Sequence, residues 1–466
     1  MPADAPRYAI LGGGLAGLSA GWYLSDQGGR VRLLERENQV GGMALTIQQD
    51  NYRFDLGPHR FHTHDEAVMS LVTGLLGDEL LRHDRLSRVR LDGHYLDYPP
   101  NVPSLVRNLN PRTSVRCLLD YFHATWKRRG TESKADDFQS WVVRHFGRHL
   151  YDIYFGPYTW KVWGTSPHLL SADLARRRIS VPNLGDVLLR LMVSSKRDPG
   201  PYVTEFWYPK NGVGRIAERL AEEIIVRQGQ IHLEHTVKAL HLVDNRIVGI
   251  TATCQGRRVT FDCEQVISSL PLPQLIRLMD PPANQNVLKA AAALRHRALI
   301  FVFLMLDSPQ LTQEHWLYFP EPDTHFNRLT EPRNFSPNHA PPGKTSLCAE
   351  ITCFLGDTTW RMSSETLARR AITDLAKVGL LDPSCVEGSF IRRLPNGYPV
   401  YDVGYQDHLY RLEQYVAGIE NLITCGRLGA FDYTNMAGAM ASGLNAAERS
   451  IMLADQPVDL PKGGGQ

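Results

Sequence analysis

Two rhythms of apolar and polar residues run along the chain. The apolar run Tyr8 to Leu11 reads as a buried strand. Leu15, Leu18 and Trp22 then recur at helical spacing, and a second apolar run occupies Val31 to Leu34. From about 101 to 205 helical spacing dominates, as in 114–129 and 138–155. Within that stretch Leu184, Val187, Leu188 and Leu191 form an amphipathic stripe of the core type rather than a membrane contact. A helix is predicted over 215–225. Strand spacing returns over 230–240 and 246–253, joined by a hairpin-like turn at Asp244 and Asn245. Val266 to Leu270 reads as a short buried strand stopped by Pro271. Ala298–Leu306 and Ser346–Phe354 predict a second sheet. Near the end, 421–425 predicts strand then loop, and a helix rich in small residues follows over 436–447.

The first elements enclose a chemical signature. Gly12, Gly14 and Gly17 form G-x-G-x-x-G directly after the first strand, and Glu35 closes the second. Gly12 permits the tight turn, Gly14 lets backbone approach a pyrophosphate, and Gly17 lets the helix pack on the strand. The helix N-terminus offers free N–H groups to the phosphates, and Glu35 offers acceptors to a ribose diol. Strand, turn, helix, strand and acid in register predict nucleotide binding. A second glycine pair, Gly41-Gly42, follows the acid, with Met43 and Ala44 beyond it. That pair resembles flavoproteins of the amine-oxidase type and makes the nucleotide FAD.

Composition narrows the rest. The 466 residues allow two or three domains at about 150 residues each. A hydrophobic content of 43%, a charged content of 21% and a net charge of +2 give no field for nucleic acid. Seven scattered cysteines show no metal-ligand spacing and read as reduced thiols, so no metal is expected. No apolar run approaches the roughly 20 residues of a membrane span. The first strand starts by Tyr8, leaving no room for a signal peptide, and a cytoplasmic location is expected.

Four further segments carry specificity: 54–63 with His59 and His62, 158–167 followed by Arg176 to Arg178, 327–332 with Arg328 and Glu331, and 426–436 with Arg427 and Tyr433. Together they resemble the UDP-galactopyranose mutases. Bacterial members read G-x-H-x-F-H-T, Y-T-x-K-Q-W-x-x-x-P, an arginine beyond it, R-x-x-E and G-R-L-G-x-Y-x-Y-x-D-M. All have counterparts here in the same order, across nearly the whole chain. Many of these motifs are shared with the wider protoporphyrinogen-oxidase-like flavoproteins. The resemblance departs at Trp160, at Val162 where the family has glutamine, and at Asn435 where it has aspartate.

The resemblance implies an α/β fold: a Rossmann-like FAD-binding domain of GR2 type, interrupted by a helical domain and a substrate-binding β-sheet domain. The expected divisions are FAD-binding parts at 1–100, 206–275 and 396–455. A helical cap at 101–205, a substrate sheet at 276–395 and a disordered tail at 456–466 complete them. It implies flavin contacts by Gly12, Gly14, Leu15, Ala16, Gly17, Glu35, Arg36, Gly41, Gly42, Met43, His59, Val237, Gly426, Arg427, Tyr433, Asn435 and Met436. His62 joins His59 beside the flavin. Tyr158, Trp163 and Tyr398 line the substrate pocket, Arg177 and Arg328 clamp the diphosphate, and Arg427 and Tyr433 complete it.

The implied chemistry interconverts pyranose and furanose forms of a nucleotide sugar through a reduced-flavin N5–sugar adduct. No protein nucleophile is needed, and arginines hold the departing diphosphate. NAD(P)H or another reductant would keep FAD reduced, and a homodimer is left open. Two other functions stand beside this one: an oxidoreductase of the amine oxidase or protoporphyrinogen oxidase type, and a non-catalytic flavin binder. Plainer readings also stand. His59 and His62 could cap a turn. Arg176 to Arg178 could be a solvated face with one inward member, taken as Arg177 by motif spacing. Trp160 and Trp163 could be core, and Arg328 a surface residue.

Overall fold

A computed structural model describes residues 7–98, 110–128, 136–179 and 205–454 of the chain. The amphipathic stripe at 184–191 and the tail at 456–466 lie outside the described residues. A parallel five-stranded sheet has the spatial order Leu422–Thr424, Gln265–Ser268, Arg7–Leu11, Arg30–Leu34, Gln230–His232. Its strands come from three separate stretches of sequence. Ala9, Ile10, Leu11, Leu33, Val266 and Ile267 are all buried, as the continuous apolar runs require of a sheet covered on both faces.

The helix Leu15–Asp26 covers this sheet and packs against the last helix, Met436–Ala454. The approach is backbone to backbone. A Cβ on Gly443 would stand 2.0 Å from the Ala16 carbonyl oxygen, and one on Gly17 would stand 2.0 Å from the Gly12 oxygen. The small residues of the last helix thus serve close packing.

The stretch 230–240 does not run as one strand. Gln230–His232 belongs to the parallel sheet, while Thr236–Val243 joins a four-stranded sheet with Arg246–Cys254, Arg257–Asp262 and Met279–Asp280. The chain turns between them at Glu234, whose φ of 59° breaks the extended run. The hairpin turn at Asp244 and Asn245 forms as expected, both residues at positive φ.

A seven-stranded sheet runs Val386–Pro399, His296–Leu306, Thr345–Cys353, Arg328–Thr330, Trp316–Tyr318, Ser87–Leu91, His94–Asp97. Its last two strands come from the first hundred residues. The strand His296–Leu306 is buried on both faces. Leu299, Phe301 and Phe303 face the cluster containing Phe54, while Ala298, Ile300, Val302, Leu304 and Leu306 face the helix Ser364–Lys377. Helices fill Pro111–Arg128 and Phe138–Phe146, and a further helical stretch ends at Trp163 after a π-turn at Tyr151–Phe155. None of the described helices is long and apolar enough to cross a membrane.

Burial pushes three histidines, His59, His296 and His315, down to about 4 from their ordinary 6.5. The unfolded chain therefore takes up protons first as the pH falls. Stability is lost between about pH 6.5 and about 4, and is untouched by these groups above that window. Thermal melts across that window are expected to show a falling Tm, with a shallower fall in His315→Gln.

Candidate cofactor cleft and substrate site

The cleft opens at the C-terminal edge of the parallel sheet, where such sheets bind ligands. It encloses about 530 Å³. Gly12, Gly14, Leu15, Ala16, Glu35, Arg36, Gly41, Gly42 and Met43 line it from the N-terminal unit. Val237 lines it from the middle of the chain, and Gly426, Arg427, Asn435 and Met436 from the C-terminal unit. His59 reaches it from the 54–63 loop. Gly17 packs behind it.

The local geometry fits a dinucleotide. A Cβ on Gly14 would meet nothing within 4 Å, so this glycine faces open space at the helix N-terminus. Gly41 donates its N–H to the Gly13 carbonyl at 2.8 Å and bridges Gly14, bringing the second glycine pair against the first turn. Glu35 is buried, and its carboxylate accepts from Gly13 N at 2.6 Å and Glu37 N at 2.9 Å. These bonds aim it at the cleft and leave lone pairs for a ribose diol. His59 Nδ1 is buried with no hydrogen-bond partner, and the ring is neutral at pH 7. An oriented, unpaired ring nitrogen on the cleft wall fits a bound polar heterocycle.

Arg427 joins the cleft to a second group of side chains. Its guanidinium donates to the Thr434 carbonyl, with Nε at 2.8 Å, and lies 5.6 Å from the Tyr398 ring and 5.2 Å from the Tyr433 ring. Trp163, Tyr398 and Tyr433 form a triangle of rings with centroids 5.3 to 6.1 Å apart. Arg178 lies over this triangle, 4.9 Å from Tyr433 and 5.6 Å from Trp163. Tyr158 stacks on Tyr154 and meets Tyr318 edge-on at 5.8 Å.

Arg328 sits on the floor. It donates Nε to Glu350 Oε2 at 3.0 Å and Nη2 to the Tyr398 hydroxyl at 3.3 Å; that hydroxyl donates to Glu350 Oε1 at 3.0 Å. The pairing with Glu350 raises the Arg328 pKa despite burial.

Several expectations are corrected. All three members of the arginine run are exposed, and the one that meets the Trp163 and Tyr433 rings is Arg178, not Arg177. Arg177 pairs with Asp432 and lies 5.3 Å from the Tyr401 ring. One residue along a helix rotates the side chain by about 100°, which motif spacing alone did not resolve. Trp160 is 56% exposed, so it is not core, whereas Trp163 is buried. His62 sits edge-on to His64 and does not line the cleft. Tyr433 faces the aromatic triangle rather than the cleft wall. Glu331 of the R-x-x-E segment accepts from Leu311 N, Thr312 N and Thr345 Oγ1 and braces a loop. The carboxylate that pairs with Arg328 is Glu350, which no motif flagged.

Lys161 is structural as well. Its Nζ donates to the Phe319 and Glu321 carbonyls and to Thr324 Oγ1, fixing the helix to the 319–324 loop; burial lowers its pKa to about 7.

A family model described as flavin containing amine oxidoreductase matches residues 15–451. A protein of Klebsiella pneumoniae described as "Probable UDP-galactopyranose mutase" is 27% identical over 173 residues, 36% of this chain and 44% of that one. The alignment thus spans less than half of that relative. A 4,4'-diapolycopene oxygenase from a Methylomonas species is 26% identical over 369 residues, 72% of this chain and 70% of the relative. The crystal structure of a reduced UDP-galactopyranose mutase superposes with a TM-score of 0.84 at 22% identity, covering 97% of both chains.

Gly14→Val tests the cleft. Its added side chain enters open space, so the variant is expected to fold with the Tm of the flavin-free wild type yet purify without flavin absorbance. Gly17→Ala, whose Cβ meets backbone, is expected to lose stability instead, by about 1–3 kcal/mol. A fully yellow Gly14→Val protein overturns this assignment of the cleft.

Proposed function

The chain belongs to the flavin containing amine oxidoreductase family, and within it we propose a nucleotide-sugar mutase that interconverts pyranose and furanose rings. One observation carries the reading. Arg178, Arg328 and Arg427 converge on the Trp163, Tyr398 and Tyr433 rings beside the cofactor cleft, and Glu350 is the one carboxylate paired with any of the three among the described residues. Arg178 and Arg427, unpaired with any carboxylate among the described residues and lying over aromatic rings, suit a diphosphate joined to a planar base.

FAD is the cofactor the family brings, and in its reduced form it supplies the nucleophile. The protein's part is electrostatic and geometric. The sugar C1–O bond to the diphosphate breaks, and the diphosphate keeps the electron pair. Arg178, Arg328 and Arg427 hold that growing charge in place, preorganised by Tyr398, Glu350 and the Thr434 carbonyl. They also keep the diphosphate within reach, so that it returns to C1 after the sugar recloses through another hydroxyl. Nothing is oxidised over the cycle. His59, neutral at the cleft wall, offers a ring nitrogen as hydrogen-bond partner to the bound heterocycle.

A flavin-dependent oxidoreductase is the second reading, supported by the longer alignment with the Methylomonas oxygenase. A polyene would have to lie against several cations, which disfavours it.

The test uses purified protein reduced by dithionite under anaerobic conditions, with UDP-sugars analysed by chromatography. Interconversion by the reduced protein alone is expected. Inactivity towards every sugar, together with bleaching of the oxidised flavin by another compound class, overturns the mutase. Arg178→Ala is expected to weaken UDP binding by about 1.5–3 kcal/mol, measured calorimetrically. Arg177→Ala, which breaks an exposed ion pair, is expected to change it by less than about 1 kcal/mol.

A further inference from the structure

Two more guanidiniums face the same side of the seven-stranded sheet. Arg60 lies 5.7 Å from the Trp316 ring, and Arg85 lies 5.2 Å from both Trp316 and Tyr98. Both are half-buried, and neither pairs with a carboxylate among the described residues. Arginines on the two strands that flank Arg85, Leu80–Asp84 and Ser87–Leu91, do. Arg82 pairs with Glu205, Arg88 with Asp97 and Glu314, and Arg90 with Glu321 and Asp323. Those arginines, the sheltered Arg90 among them, are thus neutralised, while Arg60 and Arg85 are left bare around one ring, an arrangement opposed by like-charge repulsion unless an anion joins them.

The donors around them also lack acceptors. Arg60 Nη1 and Trp316 Nε1 are both buried without a hydrogen-bond partner. Both groups can only donate, so the missing partner is an acceptor. Arg60 is fixed between His59 of the cleft and Phe61, whose N–H and carbonyl both bond to Trp207. Arg85 is held by its Nε donating to Ser87 Oγ at 2.9 Å. The pair is therefore preorganised rather than free to swing into solvent.

Register places this pair relative to the substrate site. Tyr318 stands opposite Arg328, and Trp316 is two residues along the same strand, on the same face. Trp316, the ring beside Arg60 and Arg85, and Tyr318, the residue opposite Arg328, are therefore roughly 7 Å apart along the strand, about the length of one sugar unit. Tyr98, 4.7 Å from Tyr318, closes the space between them.

We propose that Arg60, Arg85 and the Trp316 indole form a second oxyanion site, and that the substrate carries an anionic group, such as a carboxylate, about one sugar unit from the group held by Arg328. This rests on the nucleotide-sugar reading and narrows it to acidic nucleotide sugars. Burial and the adjacent Arg85 both lower the Arg60 pKa, the signature of a cation awaiting an anion.

The experiment compares UDP-galacturonate with UDP-galactose by calorimetry on the flavin-loaded protein, in wild type, Arg60→Met and Arg85→Gln. Circular dichroism and flavin absorbance monitor folding. The wild type is expected to bind the acidic sugar about ten- to a hundredfold tighter than the neutral one. Each variant is expected to pull that ratio towards one. A wild-type ratio near one, with both UDP-sugars bound, overturns the second site and leaves the mutase reading intact. Failure of UDP and both UDP-sugars to bind overturns the nucleotide-sugar reading itself, and this narrowing with it. A ratio that survives in both folded variants also overturns the assignment to Arg60 and Arg85.

Discussion

Glu350, 1% exposed, is a buried carboxylate, and it can stay charged only if the surroundings answer it. Arg328 and the Tyr398 hydroxyl do so, from two other strands of the sheet. The loop before His59 closes over the same carboxylate: a Cβ on Gly57 would stand 2.9 Å from Glu350 Oε2, at a φ of +88° that already favours glycine. One ion pair therefore fixes the floor of the aromatic triangle, the register of two strands and the entry of the loop that lines the cofactor cleft. Removing either partner would strand a buried charge, at about 3–5 kcal/mol, which is why these elements hold each other in place.

Among the described residues Glu350 pairs with Arg328 alone, while Arg178 and Arg427 lie over the aromatic triangle and Arg60 and Arg85 over Trp316. The whole chain carries a net charge of only +2, so the excess is local. Such concentration in a sheltered, ring-lined space raises the affinity for an anion far more than the same charges would in water. The cation–ring contacts limit the cost of the unliganded state, because Arg60, Arg85, Arg178 and Arg427 lie over aromatic faces that partly replace their hydration, while Arg328 is answered by Glu350.

The dinucleotide unit was legible because its determinants are local: a strand, three glycines, a helix and an acid within thirty residues. The second glycine pair and the small-residue helix were legible for the same reason, since close approach demands glycine whatever surrounds it. What the sequence hid is long-range. Glu350 meets Arg328 through strand pairing, while the nearer Glu331 turns away to brace a loop. The switch of sheets at Glu234 depends on a backbone angle that an apolar run does not reveal. Arg178 and Arg177 differ only in helical rotation, which spacing relative to a distant motif cannot fix. Arg60 lay inside a quoted motif yet occupied its variable position, and its meaning emerged only when the fold brought Arg85 and Trp316 beside it.

The departures from the mutase pattern read differently once placed. Val162 contributes its carbonyl, which accepts from Arg297 Nε at 3.0 Å, so the loss of a glutamine side chain leaves that bond untouched. Asn435 accepts from Gly438 N at 2.8 Å and caps the last helix as an aspartate would. It does so without a charge. An aspartate there would offset the positive end of the helix where it meets the cleft, whereas asparagine satisfies the N–H and leaves that field standing. The substitution therefore keeps the geometry and adds to the positive potential of the cleft wall, in the same direction as the surplus of arginines next to it.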